Sequence, residues 1–235
     1  MIALITPTGG RFRQINLCVE FMKRQTYEGD VLWVIVDDVL PTTIDFIPDN
    51  FRATWYVIKK YPREKWRPGM NTQARNLLVG INVVKYYRDL EAVFIIEDDD
   101  YYSPVYLERM LEKLKGYKAV GQKFTIYYHV KARRWRKNGN SVHASLFQTA
   151  FTSDMIPTFE SVCGEKATFI DLMFFRKMEP ENVHLFDGHP LAIGIKGIEG
   201  RTGIGMGHRA AHRMKPDPDF KMLRKWIGDD YEYYG

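Results

Sequence analysis

Residues 93–104, "VFIIEDDDYYSP", set four consecutive acids, Glu97, Asp98, Asp99 and Asp100, directly behind an apolar run. Neighbouring carboxylates about 4 Å apart oppose each other by about 4 kcal/mol at an effective dielectric of about 20. Hydration on an open turn, a raised pKa on one acid, or a bound cation can offset that repulsion. Carboxylate oxygens are the hard ligands that Mg2+ and Mn2+ select. Asp98 and Asp100 share a face if the strand continues, and Asp99 takes over if a turn begins early. A calcium loop of the EF-hand type is excluded, because Tyr102 and Ser103 stand where it needs a ligand and a glycine.

The elements around the acids narrow the choice. Val93–Ile96 reads as a buried strand. Ser103 is expected to cap a following helix, with Pro104 at its first position and Leu107, Met110, Leu111 and Leu114 as its apolar stripe. Upstream, strand-like and helix-like segments alternate: "IALITPT" (2–8), "INLCVEFMKRQ" (15–25), "VLWVIVDD" (31–38), "TWYVIKK" (54–60) and "TQARNLLVGINVVKYY" (72–87). Apolar strands alternating with helices predict a mostly parallel sheet covered on both faces, and ligands bind such sheets outside the carboxyl ends of the strands. Three strand ends then line one crevice: Thr6-Pro7-Thr8-Gly9-Gly10-Arg11, Asp37-Asp38 and Glu97–Asp100. Past residue 118 the pattern loosens. A strand is expected over 119–130, a basic turn over 131–140, a short helix over 170–178 and an irregular glycine-rich backbone over 188–208. "PDFKMLRKWIG" is expected as a closing helix.

With 235 residues, 45% hydrophobic and 14% aromatic, the chain suits one α/β domain, and its net charge of +5 permits polyanionic partners without requiring one. Cys18 and Cys163 have no metal-ligand spacing and are expected to be core thiols. No apolar run approaches a membrane span and no signal peptide is legible, so a soluble, cytoplasmic protein is expected.

Taken in order, "LITPTGGR", "VIVDD", "PGMNTQARN" and "IIEDDDYYSPVYLERM" resemble the family 2 inverting glycosyltransferases of GT-A fold, over roughly residues 2–115. The resemblance implies a Rossmann-like, mostly parallel sheet flanked by helices in a single domain. Residues 1–118 would form the nucleotide-sugar half, and 119–235 the acceptor half with a closing segment. It implies a nucleoside-diphosphate sugar donor, UDP-linked by expectation, contacted by Thr6, Pro7, Thr8, Gly9, Arg11, Asp37, Asp38, Arg75 and Asp98. It implies Mn2+ or Mg2+ held by Asp98, Asp99 and Asp100, with His208, ahead of His189 and His212, completing the site. The family pattern aligns Glu97 with its first acid and Asp99 with its third, so the ligand choice within Glu97–Asp100 stays open. The general base is expected at Asp171, with Glu165 next. "VLPTT" stands where the family carries Gly-Ser after the aspartate pair.

Two rival functions are a sugar nucleotidyltransferase and a non-catalytic nucleotide- or glycan-binding protein. "GRTGIGMGHR" is not a phosphate loop, since it lacks the Gly-Lys-Ser/Thr ending. For the acceptor, Arg133, Arg134 and Arg136 interleave with Tyr127, Tyr128 and Trp135, a pattern that suits nucleic acid. A hydroxymethylated base in DNA, as modified by some viral glycosyltransferases, is the expected acceptor, and a soluble saccharide is the alternative.

Overall fold

The computed structural model describes residues 1–39, 44–50, 52–165, 169–199 and 213–235. In chain order the first half runs β1 (Ile2–Thr8), α1 (Phe12–Lys23), β2 (Val31–Asp37), β3 (Trp55–Lys60), α2 (Gln73–Val84), β4 (Ala92–Ile95), β5 (Tyr101–Tyr102) and α3 (Tyr106–Leu114). The second half runs β6 (Ala119–Gln122), β7 (Phe124–His129), β8 (Arg134–Gly139), β9 (Ala150–Thr152), α4 (Ile156–Gly164), α5 (Ile170–Phe175), β10 (Val183–Phe186), β11 (Ala192–Lys196), β12 (Lys215–Pro216) and α6 (Lys221–Ile227). Seven strands form the main sheet in the order β10-β6-β9-β4-β1-β2-β3, and β12-β8-β7-β11-β5 form a second. In the main sheet β9 runs antiparallel to its neighbours β4 and β6, while β1 is parallel to both β2 and β4.

All seven residues of β1 and of β2 are buried because both faces of the sheet are covered. Successive side chains point to opposite faces. Ile2, Leu4, Val31, Trp33 and Ile35 therefore join one core with α1, α3 and α6, while Ala3, Ile5, Leu32, Val34 and Val36 join another with α2, α4 and α5. Helix α2 approaches β1 closely: a Cβ added at Gly80 would lie 2.4 Å from Ile5 Cγ2. The second half of the chain does not stand apart, since β6, β9 and β10 complete the main sheet.

Several sequence expectations change. Helix α3 begins at Tyr106 with Val105 in the N-cap position and no side-chain cap. The Ser103 hydroxyl is instead buried without a partner, and the acids lead first into β5 of the second sheet. The strand expected over 119–130 is two strands in different sheets, β6 and β7, divided at Lys123. The basic turn is a turn followed by β8, which pairs with β7 along its whole length. Cys18 and Cys163 are buried free thiols, as expected. Among the described residues no helix is long and apolar enough to cross a membrane.

Candidate active site

Parallel pairing puts the carboxyl ends of β1, β2 and β4 side by side, and the charged residues follow from that. Gly10 adopts φ +62°, a conformation that costs an L side chain strain, and so turns the chain from β1 into α1 with Arg11 at the helix entrance. Arg11 reaches across to the acids, with Nη1 2.7 Å from Asp98 Oδ1 and Nη2 2.5 Å from Asp99 Oδ2. Thr8 Oγ1 donates to Asp98 Oδ2 at 2.6 Å. Asp98 is thus held by β1 and the start of α1, with both oxygens engaged.

The second cation comes from the other sheet. Lys196, the last residue of β11, is buried with Nζ 3.0 Å from Asp100 Oδ1 and 3.7 Å from Asp99 Oδ2. The Ile195 amide donates to the same Asp100 oxygen at 2.9 Å. Asp100 Oδ2 is buried and has no hydrogen-bond partner. Glu97 Oε1 accepts from Gln73 Nε2 at 2.5 Å, and the Glu97 amide donates to the Tyr102 hydroxyl at 2.8 Å.

Among the described residues the four acids face two cations, Arg11 and Lys196, in a buried setting. Burial pushes the Glu97 carboxyl up to about 7, with Lys196 pulling it down and Asp99 and Asp171 adding repulsion. Burial pushes Asp98 up to about 6 against the opposing pull of Arg11, and raises Asp100 well above the usual carboxylate range despite Lys196. Lys196 is held protonated by Asp100, Asp99 and Glu97, which outweigh its own burial.

One oxygen each from Glu97, Asp99 and Asp100 lie within 4.8 Å of one another. A cation with oxygen ligands at about 2.0–2.6 Å bridges such a span. The orphaned Asp100 Oδ2 is a buried acceptor awaiting a donor or an ion, so these residues fit a hard divalent cation. Both oxygens of Asp98 are taken by Thr8 and Arg11, while the trio Glu97, Asp99 and Asp100 lies within the open choice Glu97–Asp100. His189 is not among them, because its Nε2 lies 3.0 Å from the Trp226 carbonyl on the surface. His208 and His212 lie outside the described residues.

The remaining expected contacts divide. Thr6 Oγ1 accepts from Trp33 Nε1 at 2.9 Å, so Thr6 is committed to the core, and Pro7 is buried beside it. Asp37 Oδ1 accepts from the Val39 amide at 2.9 Å, shaping the turn after β2. Asp38 Oδ2 accepts from Thr72 Oγ1, from Asn76 Nδ2 at 3.0 Å and from Arg75 Nη2 at 3.2 Å, which fastens the start of α2 to the end of β2. Gly9 precedes the Gly10 turn at the crevice rim.

Asp171, in the first turn of α5, accepts from the Leu172 amide at 2.9 Å. It is close enough to Glu97 to raise that carboxyl. Burial raises Asp171 itself, opposed by backbone amides and by His143. Glu165 is not part of this group. It is an exposed residue bound to Lys177 Nζ at 2.6 Å and Ser161 Oγ at 3.1 Å, and these partners hold its carboxyl below the usual range.

The three arginines of the basic segment meet different fates. Arg133 Nη1 donates to the Pro218 carbonyl and Arg134 Nη1 to the Met214 carbonyl, both at 3.0 Å, so two of them fasten the carboxyl-terminal segment to β8. Arg136 instead lies over the Tyr127 ring. Sequence reasoning missed Lys196, Gln73, Thr72 and Asn76. The one legible trace of Lys196 was a lone lysine ending the otherwise apolar "AIGIK".

No protein-family model matches the chain, and no curated protein sequence matches it. Solved structures do. S. aureus TarS superposes with a TM-score of 0.52 at 13% identity over 83% of this chain and 36% of its own. Residues 1–349 of TarS in complex with UDP-GlcNAc superpose with a TM-score of 0.55 at 12% identity, over 86% of this chain and 60% of theirs. The fold is GT-A-like. The GT-A-like chain thus spans between about a third and three-fifths of the TarS chains it matches.

Proposed function

We propose that the crevice is the donor site of an inverting glycosyltransferase that uses a UDP-linked sugar and a divalent cation. The observation that carries this reading is the convergence of Glu97, Asp99 and the half-orphaned Asp100 at the carboxyl ends of a GT-A-like sheet, with Asp171 close enough to Glu97 to raise its carboxyl. The UDP-GlcNAc bound to the TarS structure of the same fold supports a UDP-linked donor. A diphosphate leaving group gathers negative charge as it departs, and Mn2+ or Mg2+ on the three acids would supply the charge that stabilises it. In a single displacement, the acceptor hydroxyl oxygen bonds to the anomeric carbon. The bond from that carbon to the diphosphate oxygen breaks with its electron pair, and Asp171 takes the hydroxyl proton. A carboxylate with a raised pKa is the better base near neutral pH. Thr8 and Arg11 hold Asp98 rigid behind the cation site. Asp38 with Thr72, Arg75 and Asn76 fixes the rim where the nucleoside would lie.

The acceptor proposed is a nucleic acid, a hydroxymethylated base being the hydroxyl-bearing candidate; of the basic and aromatic segment it rests on Arg136 over Tyr127, since Arg133 and Arg134 are spent on main-chain carbonyls and Tyr128 is buried. The test is incubation with a panel of nucleotide sugars and Mn2+, with products followed by NMR. Release of UDP together with a sugar of inverted anomeric configuration supports the proposal. Conversion of the nucleotide sugar by added pyrophosphate into a nucleoside triphosphate and a sugar 1-phosphate would indicate a nucleotidyltransferase, and no turnover of any donor would leave a binding protein.

A further inference from the structure

Arg136 and Tyr127 are directly opposed across the β7–β8 pair, which places them on one face of the second sheet. The Arg136 guanidinium carbon stands 5.3 Å from the centre of the Tyr127 ring. Lys196 Nζ approaches the same ring at 5.8 Å, and its ammonium is the one bound to Asp99 and Asp100. The ring reaches that far because β11 carries a glycine opposite Tyr127. A Cβ at Gly194 would lie 2.6 Å from Tyr127 Cδ1, so the tyrosine lies across bare backbone beside Lys196. Arg136 therefore stands one aromatic ring outside the acid cluster.

Arg133 and Arg134 donate to main-chain carbonyls. Among the described residues Arg136 forms no ion pair, and its Nε is buried with no hydrogen-bond partner. A second unpartnered group, His143 Nδ1, is buried on the segment that supplies Ser145, whose Oγ lies 3.3 Å from the Tyr127 hydroxyl. His143 also acts electrostatically on Asp171. A guanidinium with unused donors, backed by an aromatic face, is complementary to an oxyanion. A carboxylate or phosphate there would accept from Arg136 while remaining clear of the Glu97, Asp99 and Asp100 oxygens that repel it.

We propose that Arg136, on the Tyr127 platform, is an anion subsite on the acceptor side of the crevice and that it takes a phosphate group of the acceptor. Its placement on the acceptor side rests on the donor assignment above; the binding of phosphate does not. The phosphate belongs either to a phosphodiester, as in a nucleic acid, or to a phosphate monoester on a small acceptor.

The test is calorimetric titration of the protein saturated with UDP and Mg2+, so that donor phosphate contacts are already filled. The probes are inorganic phosphate, a thymidine dinucleotide carrying one phosphodiester, and glucuronate. At least one phosphate probe is expected to bind. Arg136→Gln should weaken it about tenfold and Arg136→Lys by less, because the bidentate fork is lost while the charge is kept. UDP affinity should stay within about twofold. Tighter dinucleotide binding identifies the phosphodiester source, and tighter inorganic phosphate the monoester. The proposal is overturned by no phosphate binding up to about 10 mM, by binding indifferent to Arg136→Gln, by glucuronate alone binding, or by an equal loss of UDP affinity. If UDP itself does not bind, the donor assignment fails separately. The same titration on the free protein then decides whether Arg136 binds phosphate at all.

Discussion

Without the Lys196 ammonium, the Asp100 carboxylate would keep one backbone donor on Oδ1 and none on Oδ2, in a position that is 1% exposed. Removing one partner of a buried ion pair typically costs about 3–5 kcal/mol, because the other charge is left stranded. Burial lets Asp100 take up a proton once the ammonium is gone, so Lys196→Met is expected to lower unfolding stability in urea by less than that, about 1–3 kcal/mol. A loss of about 3–5 kcal/mol would mean that Asp100 stays ionised without its partner. Asp171 gives a different expectation, since it acts on the reaction rather than on the core. Asp171→Asn should reduce kcat by about 10²–10⁴ while leaving UDP affinity unchanged, and parallel loss of both would mark a structural acid. At this scale the four acids were legible because charge in a row behind a buried strand is conspicuous. Lys196 was not, since a lysine closing an apolar strand looks the same whether it meets solvent or the far sheet. The same ambiguity applied to the arginines. Their spacing could not tell Arg133 and Arg134, spent on main-chain carbonyls, from Arg136.

Helix α2 carries Gln73, Thr72 at its N-cap position, Arg75 and Asn76 into the site, so its seating against β1 sets the rim geometry. Helix propensity alone predicts that Gly80→Ala stabilises by about 1 kcal/mol. Packing predicts the opposite, because the new methyl would stand 2.4 Å from Ile5 Cγ2, and overpacking costs about 1–3 kcal/mol. Chemical denaturation should show net destabilisation, and a gain in stability would show that α2 is free to retreat from the sheet. The elements of the first half were readable because β1 and β2 are continuously apolar, the signature of strands buried on both faces. The boundary at Lys123 was not, because "AVGQKFTIYYHV" keeps its apolar character while crossing from one sheet to the other. Nor was the start of α3. Ser103 and Pro104 look like a cap and first turn, yet Ser103 donates its amide to the Leu191 carbonyl and serves the second sheet.

Across the whole molecule, the burial of like charges makes stability depend on pH in an unusual direction. Glu97, raised from 4.5 to about 7, and Asp98, raised from 3.8 to about 6, are protonated in the folded chain at pH values where the unfolded chain is ionised. The folded state then binds more protons than the unfolded state between those limits, so stability rises as pH falls through them. Without divalent cations, the thermal midpoint should be higher at about pH 6 than at about pH 7.5, and Glu97→Gln should flatten the difference. A midpoint that climbs with pH over that range would show that Arg11 and Lys196 already neutralise the acids. Among the described residues the acids at the meeting point of the two sheets outnumber the cations beside them, which favours a bound cation, and a diphosphate would bind through that cation. Isothermal titration of UDP with and without Mn2+, on the wild type and on Asp99→Asn, tests that most directly. The account predicts UDP binding that requires Mn2+ in the wild type and is lost in the variant while the fold persists. Undetectable UDP binding under both conditions, or binding of equal strength with and without Mn2+, would contradict it.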